Sequence, residues 1–136
     1  MQYYKTRKEI KLLQRRLSNI RKNYLHQTTS SIVKTKPRRI VIEDLNVSGM
    51  MKNRHLAKAI QNQSFYEFRR QLEYKCKRKG IELIIADRFF PSSKTCSNCG
   101  TINKNLKLSD RIFNCECGFS ADRDFNASVN LANYNI

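Results

Sequence analysis

Cys96, Cys99, Cys115 and Cys117 are the residues whose type and spacing most plainly carry chemistry. Cys96-Ser97-Asn98-Cys99 is a C-x2-C pair and Cys115-Glu116-Cys117 a tighter C-x-C pair, a separation that suits a two-knuckle metal site. Gly100 and Gly118 each follow the second cysteine of a pair, where the backbone must turn so that amides approach the sulfurs. Four thiolates fill the tetrahedral preference of zinc and leave no position for substrate, so the ion they predict is structural. A polar segment of roughly 30 residues cannot fold on hydrophobic burial alone, and metal would supply its folding energy. The competing readings of the same residues are a redox dithiol pair or chance clustering. The stretch 101–114 between the pairs is long enough for a hairpin and too polar for a core of its own. Cys76, set apart, reads as a small apolar residue buried on a helix. His26 and His55 read as surface or phosphate-contacting groups rather than metal ligands.

Carboxylates are the second candidate chemistry. Glu43 follows the β-branched run Ile40-Val41-Ile42, and Asp122-Arg123-Asp124 opens the last periodic segment. Converging carboxylates are what a pair of Mg²⁺ ions about 4 Å apart requires in phosphoryl transfer. Spacing leaves the bland alternatives open: Asp124 as a residue favoured at a helix N-terminus, Glu43 as loop surface.

These groups sit on a chain of 136 residues with 27 Lys+Arg against 11 Asp+Glu, a formal net charge of +16. Charge of that sign and size implies a polyanionic partner. The first 39 residues hold 12 of the basic residues and a single acid, Glu9. Arg15, Arg16, Arg21, Lys22, Arg38 and Arg39 are the candidate phosphate contacts there, joined by Arg123, and such contacts are salt-sensitive and sequence-blind. No apolar run approaches the roughly 20 residues of a membrane span, and the N-terminus lacks a signal-like apolar stretch. The expectation is a cytoplasmic, nucleoid-associated protein with no membrane partner, in which clustered thiols serve metal rather than disulfides.

The elements that must position these residues follow from periodicity. Tyr3, Ile10, Leu13, Leu17, Ile20 and Tyr24 predict an amphipathic basic helix that packs by its apolar side, with a coiled-coil strand as the competing reading. Thr28-Thr29-Ser30-Ser31 is expected to fray it and Pro37 to end any continuation. Ile40 to Leu45 reads as a buried strand, Asn46 to Asn53 as a loop, and Arg54 to Lys79 as a second helix. That helix has Leu56, Ile60, Phe68, Leu72 and Cys76 on one stripe and Gly80 just past its end. Ile81 to Ala86 reads as a second buried strand, and a short helix begins near Asp124. Strand, helix, strand makes a βαβ unit with parallel strands, and ligands in such sheets gather beyond the strands' carboxyl ends, where Glu43 and Asp87 lie.

The wording Ile42-Glu43-Asp44-Leu45-Asn46-Val47, then Phe90-Pro91-Ser92-Ser93-Lys94-Thr95-Cys96-Ser97-Asn98-Cys99-Gly100, then Asp122-Arg123-Asp124-Phe125-Asn126-Ala127, resembles the OrfB/TnpB family of insertion-sequence proteins. These are RNA-guided DNA endonucleases, relatives of type V CRISPR effectors. The resemblance implies an α/β fold: a partial RNase H-like (RuvC) layer of two parallel strands and flanking helices, with an inserted zinc ribbon. It implies boundaries at 1–90 for the RuvC-like part, 91–120 for the ribbon and 121–136 for the final helix. It implies Glu43 as the second catalytic carboxylate, Asp124 as the third and Asp122 as a lesser candidate, with Arg123 neutralising phosphate or holding the acids. Mg²⁺, DNA and a guide RNA are the implied cofactor and partners. Family members are much longer, and no D-x-G-like strand bearing the first catalytic Asp precedes Tyr3. The resemblance therefore implies a truncated, transposon-derived binding protein without autonomous cleavage, or a half complementing a separately encoded N-terminal part. It also leaves the Ile40–Leu45 strand with a bare apolar edge. A ribbon that contacts RNA in an unrelated complex is the remaining reading.

Overall fold

The computed structural model describes residues 1–55, 57 and 64–135, and the chain divides into two compact units. The first comprises residues 1–38 and 46–82, the second residues 39–45 and 83–136.

The first unit is helical. Helix α1 spans Gln2–Lys34, so the Thr28–Ser31 run continues the helix instead of fraying it. The reason is local: the hydroxyls of Thr28 and Thr29 donate to the carbonyls of Tyr24 and Leu25, four residues back, at 3.0 and 2.8 Å, which satisfies them inside a helix. The helix stops at Thr35, and Lys36 takes a positive φ of 50° just before Pro37. The expected loop after Asn46 contains a short helix, α2 (Val47–Met51), because the Asn46 side chain caps it by accepting the Gly49 amide at 3.0 Å. Helix α3 spans Phe65–Lys79 and ends at Gly80, whose φ of 67° makes a left-handed cap. Of the stripe predicted for this helix, Leu56 and Ile60 lie outside the described residues, whereas Leu72 and Cys76 are buried as expected.

Helices α1 and α3 pack through Leu25, Thr29 and Val33 on one side and Gln71, Leu72 and Cys76 on the other. A polar lock lies at the seam. Lys75 Nζ donates to the His26 carbonyl and to the hydroxyls of Thr29 and Ser30, at 2.7 to 2.9 Å. With no carboxylate in that set, burial pushes the Lys75 ammonium down from its ordinary value. The packed part of α1 starts at Leu25. Tyr3, Ile10, Leu13, Leu17, Ile20 and Tyr24, predicted to pack, are all exposed, because periodicity defines an apolar face but not what covers it.

The second unit holds two small sheets. Strand β1 (Arg39–Glu43) pairs in parallel with β2 (Glu82–Ala86). Ile84 and Ala86 are buried while β1 is half-buried. Strands β3 (Ile112–Asn114) and β4 (Ser120–Asp122) pair antiparallel, with Phe113 opposite Ala121. The predicted hairpin thus forms across the second cysteine pair rather than between the pairs. Helix α4 (Arg123–Ala132) follows directly and buries Asn126 and Ala127. No helix among the described residues is long and apolar enough to cross a membrane.

Candidate metal centre and carboxylate site

Both cysteine pairs lie on tight turns built by the backbone. The Gly100 amide donates to the Cys96 carbonyl at 2.8 Å and the Gly118 amide to the Cys115 carbonyl at 3.0 Å. Both glycines have φ near +80 to +90° (79° and 89°), a region costly for any residue with a Cβ. A bridge between Thr95 and Ile102 closes the first turn and the β3–β4 pair the second.

The turns bring all four sulfurs within 4.8 Å of one another. Cys96 Sγ lies 3.8 Å from Cys117 Sγ, and Cys99 Sγ 3.6 Å from Cys115 Sγ. With a zinc–sulfur bond of about 2.3 Å, the edge of a regular tetrahedron is about 3.8 Å, so the cluster fits one tetrahedral ion. The thiols also perturb one another. The Thr101 hydroxyl and amide favour the Cys99 thiolate, and with Cys115 they bring it down to about 6. The Phe119 amide and then the Asn98 side chain lower Cys117. At Cys115 the Cys117 amide favours the thiolate, but desolvation and the surrounding thiols outweigh it and push the group up to about 12. Four sulfurs this close cannot all ionise by themselves, and a bound cation is what lets them. Cys96 is buried and the other three are at least partly open.

The first turn is fastened to α4 by two asparagines one helical turn apart. Fully buried Asn126 accepts the Ser97 amide with Oδ1 at 2.9 Å and donates from Nδ2 to the Thr95 carbonyl at 2.7 Å. Asn130 Nδ2 reaches the carbonyls of Ser92 and Thr95, both at 2.7 Å. Ser92, itself buried, donates its hydroxyl to Glu43 Oε1 at 2.6 Å. One hydrogen-bonded path therefore runs from α4 through Ser92 to Glu43. Sequence reasoning missed Asn126, Asn130 and Ser92; the available signal was two asparagines at i, i+4 on a helix whose other face is apolar.

Glu43 lines a pocket of about 380 Å³ beyond the carboxyl ends of β1 and β2, together with Asp44, Asp87 and Lys94. Asp122 and Asp124 have different surroundings. Asp122 caps α4, its Oδ1 accepting the amides of Asp124 and Phe125 at 2.9 and 3.1 Å. Asp124 stands in solvent at 77% side-chain exposure. Arg123 turns inward, donating to the Leu108 carbonyl at 2.8 Å and lying 3.6 Å from Asp124 Oδ1. Among the described residues, the four cysteines are the one group of three or more His, Cys, Asp or Glu side chains gathered tightly enough for an ion. Of the other basic candidates, Arg15, Arg16, Arg21, Lys22 and Arg38 are exposed, while Arg39 is committed to the Ala132 carbonyl at the end of α4. His26 is half-buried, its Nδ1 3.4 Å from the Tyr74 hydroxyl, and His55 is exposed.

These observations describe a basic α/β protein with a four-cysteine cluster that could hold a metal ion, fastened to the helix that presents Asp124. Two family models match it: one described as "Cas12f1-like, TNB domain" over residues 65–131, and OrfB_IS605, "Probable transposase", over residues 1–54. The chain belongs to the OrfB/TnpB family. It is 41% identical over 127 residues to a Streptomyces pristinaespiralis protein named "Putative RNA-guided DNA endonuclease", covering 93% of this chain and 31% of that one. It is 31% identical over 134 residues to the CRISPR-associated endodeoxyribonuclease Cas12f1 of Sulfoacidibacillus thermotolerans, covering 95% of this chain and 31% of that one. A cryo-EM structure of a Cas12f1–sgRNA–target DNA complex superposes with a TM-score of 0.73 at 26% identity, over 94% of this chain and 37% of that chain. The chain thus spans about a third of the length of the curated relatives it matches.

Proposed function

We propose that this chain is the zinc-ribbon and carboxylate-bearing portion of a TnpB-type RNA-guided DNA endonuclease, and that by itself it binds zinc and nucleic acid without cutting. The observation that carries the reading is the bonded path from the metal-sized thiolate cluster through Asn126 and Asn130 to Ser92 and Glu43. It suits a ribbon that scaffolds a nuclease centre rather than one that acts alone. Zinc, held by Cys96, Cys99, Cys115 and Cys117, fixes the start of α4. Glu43 and Asp124, on a RuvC-like layer, would hold Mg²⁺ with a third carboxylate; the metal would activate water and take up charge on the reacting phosphate. Ser92 fixes the Glu43 carboxylate, and Asp122 fixes the turn that presents Asp124. The reading assigns two of the carboxylates that a two-ion centre needs, and binding without cleavage is the behaviour expected of these 136 residues. Exposed Arg15, Arg16, Arg21 and Lys22 on α1 supply phosphate contacts, and the relatives' names point to DNA and a guide RNA as partners.

The test is a labelled single-stranded oligonucleotide incubated with the zinc-loaded chain and Mg²⁺. Binding without product supports the reading, and Mg²⁺-dependent cleavage lost in Asp124→Ala would overturn it.

The open face of α1 favours a second element of the reading. Tyr3, Ile10, Leu17 and Tyr24 recur every seventh residue, with Leu13 and Ile20 three residues after Ile10 and Leu17, and all are exposed. We infer that the remainder of the family fold, on the same or a separate polypeptide, covers this seam. Supplying a TnpB-type N-terminal part with its aspartate should restore cleavage, and a Leu13→Glu, Leu17→Glu pair should remove it again. Absence of restoration, or indifference to the pair, refutes this element.

A further inference from the structure

The turn after β2 holds one aromatic ring in water and half-buries the next. Asp87 organises it: Oδ1 accepts the Phe89 amide at 2.8 Å, the Asp87 carbonyl accepts the Phe90 amide at 3.0 Å, and the Asp87 amide donates to the Tyr134 hydroxyl at 3.1 Å. Phe90 packs edge-on against Tyr134, ring centroids 4.9 Å apart at 67°. Arg88 pairs with Asp44 at 3.1 Å. With both neighbours committed, Phe89 is left 88% exposed on the rim of the pocket that Glu43 lines. Scattered surface hydrophobics are ordinary and need no account. Phe89 differs in that a turn fixed at three points displays it, beside a carboxylate pocket that also carries Lys94, in a chain of charge +16.

We propose that Phe89 is a base-stacking platform for single-stranded nucleic acid entering toward Glu43. This rests on the nucleic-acid reading given above and adds a site to it. A nucleobase offers a flat π-face to an exposed ring whatever its sequence, and Lys94 lies where a neighbouring phosphate can be met. The bases of a duplex have no free faces, so the site selects single strands. It would hold a strand beside the reacting centre independently of the basic residues of α1.

The test uses the zinc-loaded chain and fluorescence anisotropy with three probes: a mixed-sequence single strand, an abasic single strand of equal length, and a duplex. Phe89→Ala should weaken binding of the mixed-sequence strand by about 5- to 100-fold, leave the abasic strand and duplex unchanged, and be rescued by Phe89→Trp. A 2-aminopurine base in the strand should be quenched by the wild type and not by Phe89→Ala. Equal affinity of wild type and Phe89→Ala for the mixed-sequence strand overturns the proposal, and so does an equal loss on the abasic strand. Failure of the wild type to bind any probe overturns the nucleic-acid reading beneath it, a result distinct from either of those.

Discussion

Removing Asn126 should loosen the first cysteine turn by an amount that depends on whether Asn130 is present. In Asn126→Ala the Ser97 amide loses its acceptor, whereas the Thr95 carbonyl keeps the 2.7 Å bond from Asn130. One part-buried amide is orphaned, which costs about 1–3 kcal/mol. In Asn130→Ala the Ser92 carbonyl loses its donor while Thr95 keeps Asn126, so the cost is again that of one part-buried group, about 1–3 kcal/mol. The double substitution alone strips Thr95 of both donors. The cycle should therefore be more than additive by about 1 kcal/mol, well above the roughly 0.3 kcal/mol seen for independent sites.

The assay is native-state hydrogen exchange on the zinc-loaded protein, read at the Ser97 amide and at amides of the α1–α3 pair. Asn126→Ala should speed exchange at Ser97 by about 30-fold, the equivalent of 2 kcal/mol, and leave the α1–α3 amides unchanged. Additive behaviour, or an Asn126→Ala effect below about 0.5 kcal/mol, would refute the claim that these asparagines seat the metal turn on the helix.

Asp122→Ala removes a helix cap and should destabilise the second unit by about 0.5–2 kcal/mol, whereas exposed Asp124→Ala should shift thermal stability by less than about 0.5 kcal/mol and, in a completed nuclease, abolish cleavage. The Arg70 guanidinium, then the Gln71 side chain, hold the Glu67 carboxylate down from 4.5 to about 2. A depressed folded-state value means a contribution present above the unfolded value and lost as pH falls from about 4.5 toward about 2; Glu67→Gln should flatten that acid limb in a pH series of urea unfolding curves. Replacing Arg15 and Arg16 with Gln should flatten the plot of log affinity against log salt by about 1.4 for a single strand, or about 0.7 per lost phosphate contact.

What could be read in advance was whatever rested on spacing or on a residue's own preference. The cysteine pairs declared their cluster, since C-x2-C and C-x-C turns each followed by glycine have few other uses. Cys76 and Leu72 were legible because both lie on the apolar stripe of a helix that Gly80 terminates. The failures came where a residue's behaviour depends on a partner. Thr28 and Thr29 read as breakers but found carbonyls four residues back. Asn46, taken for loop, became a cap. Asn126, quoted only as part of a motif, and Asn130 turned out to join the first cysteine turn to α4 because their amides meet carbonyls far away in sequence. The apolar side of α1 was correctly seen as apolar, and its cover was not encoded in its own period. For the carboxylates, the strand end located Glu43 beside a pocket, but no spacing rule foretold that Ser92 would hold it.

On the proposed reading a thiolate-bound metal organises the end of this chain that carries Asp124. Its most direct test is to strip the purified chain of metal and titrate it with Co²⁺ while recording the visible spectrum and amide exchange. One ion per chain is expected, with the intense d–d bands of a tetrahedral four-thiolate site, displaced stoichiometrically by Zn²⁺. Protection at Ser97, Phe113 and Asn126 should appear with the metal, while α1–α3 protection does not depend on it. Protection of those amides in the metal-free chain, or a spectrum unaltered by Cys115→Ser, would contradict it.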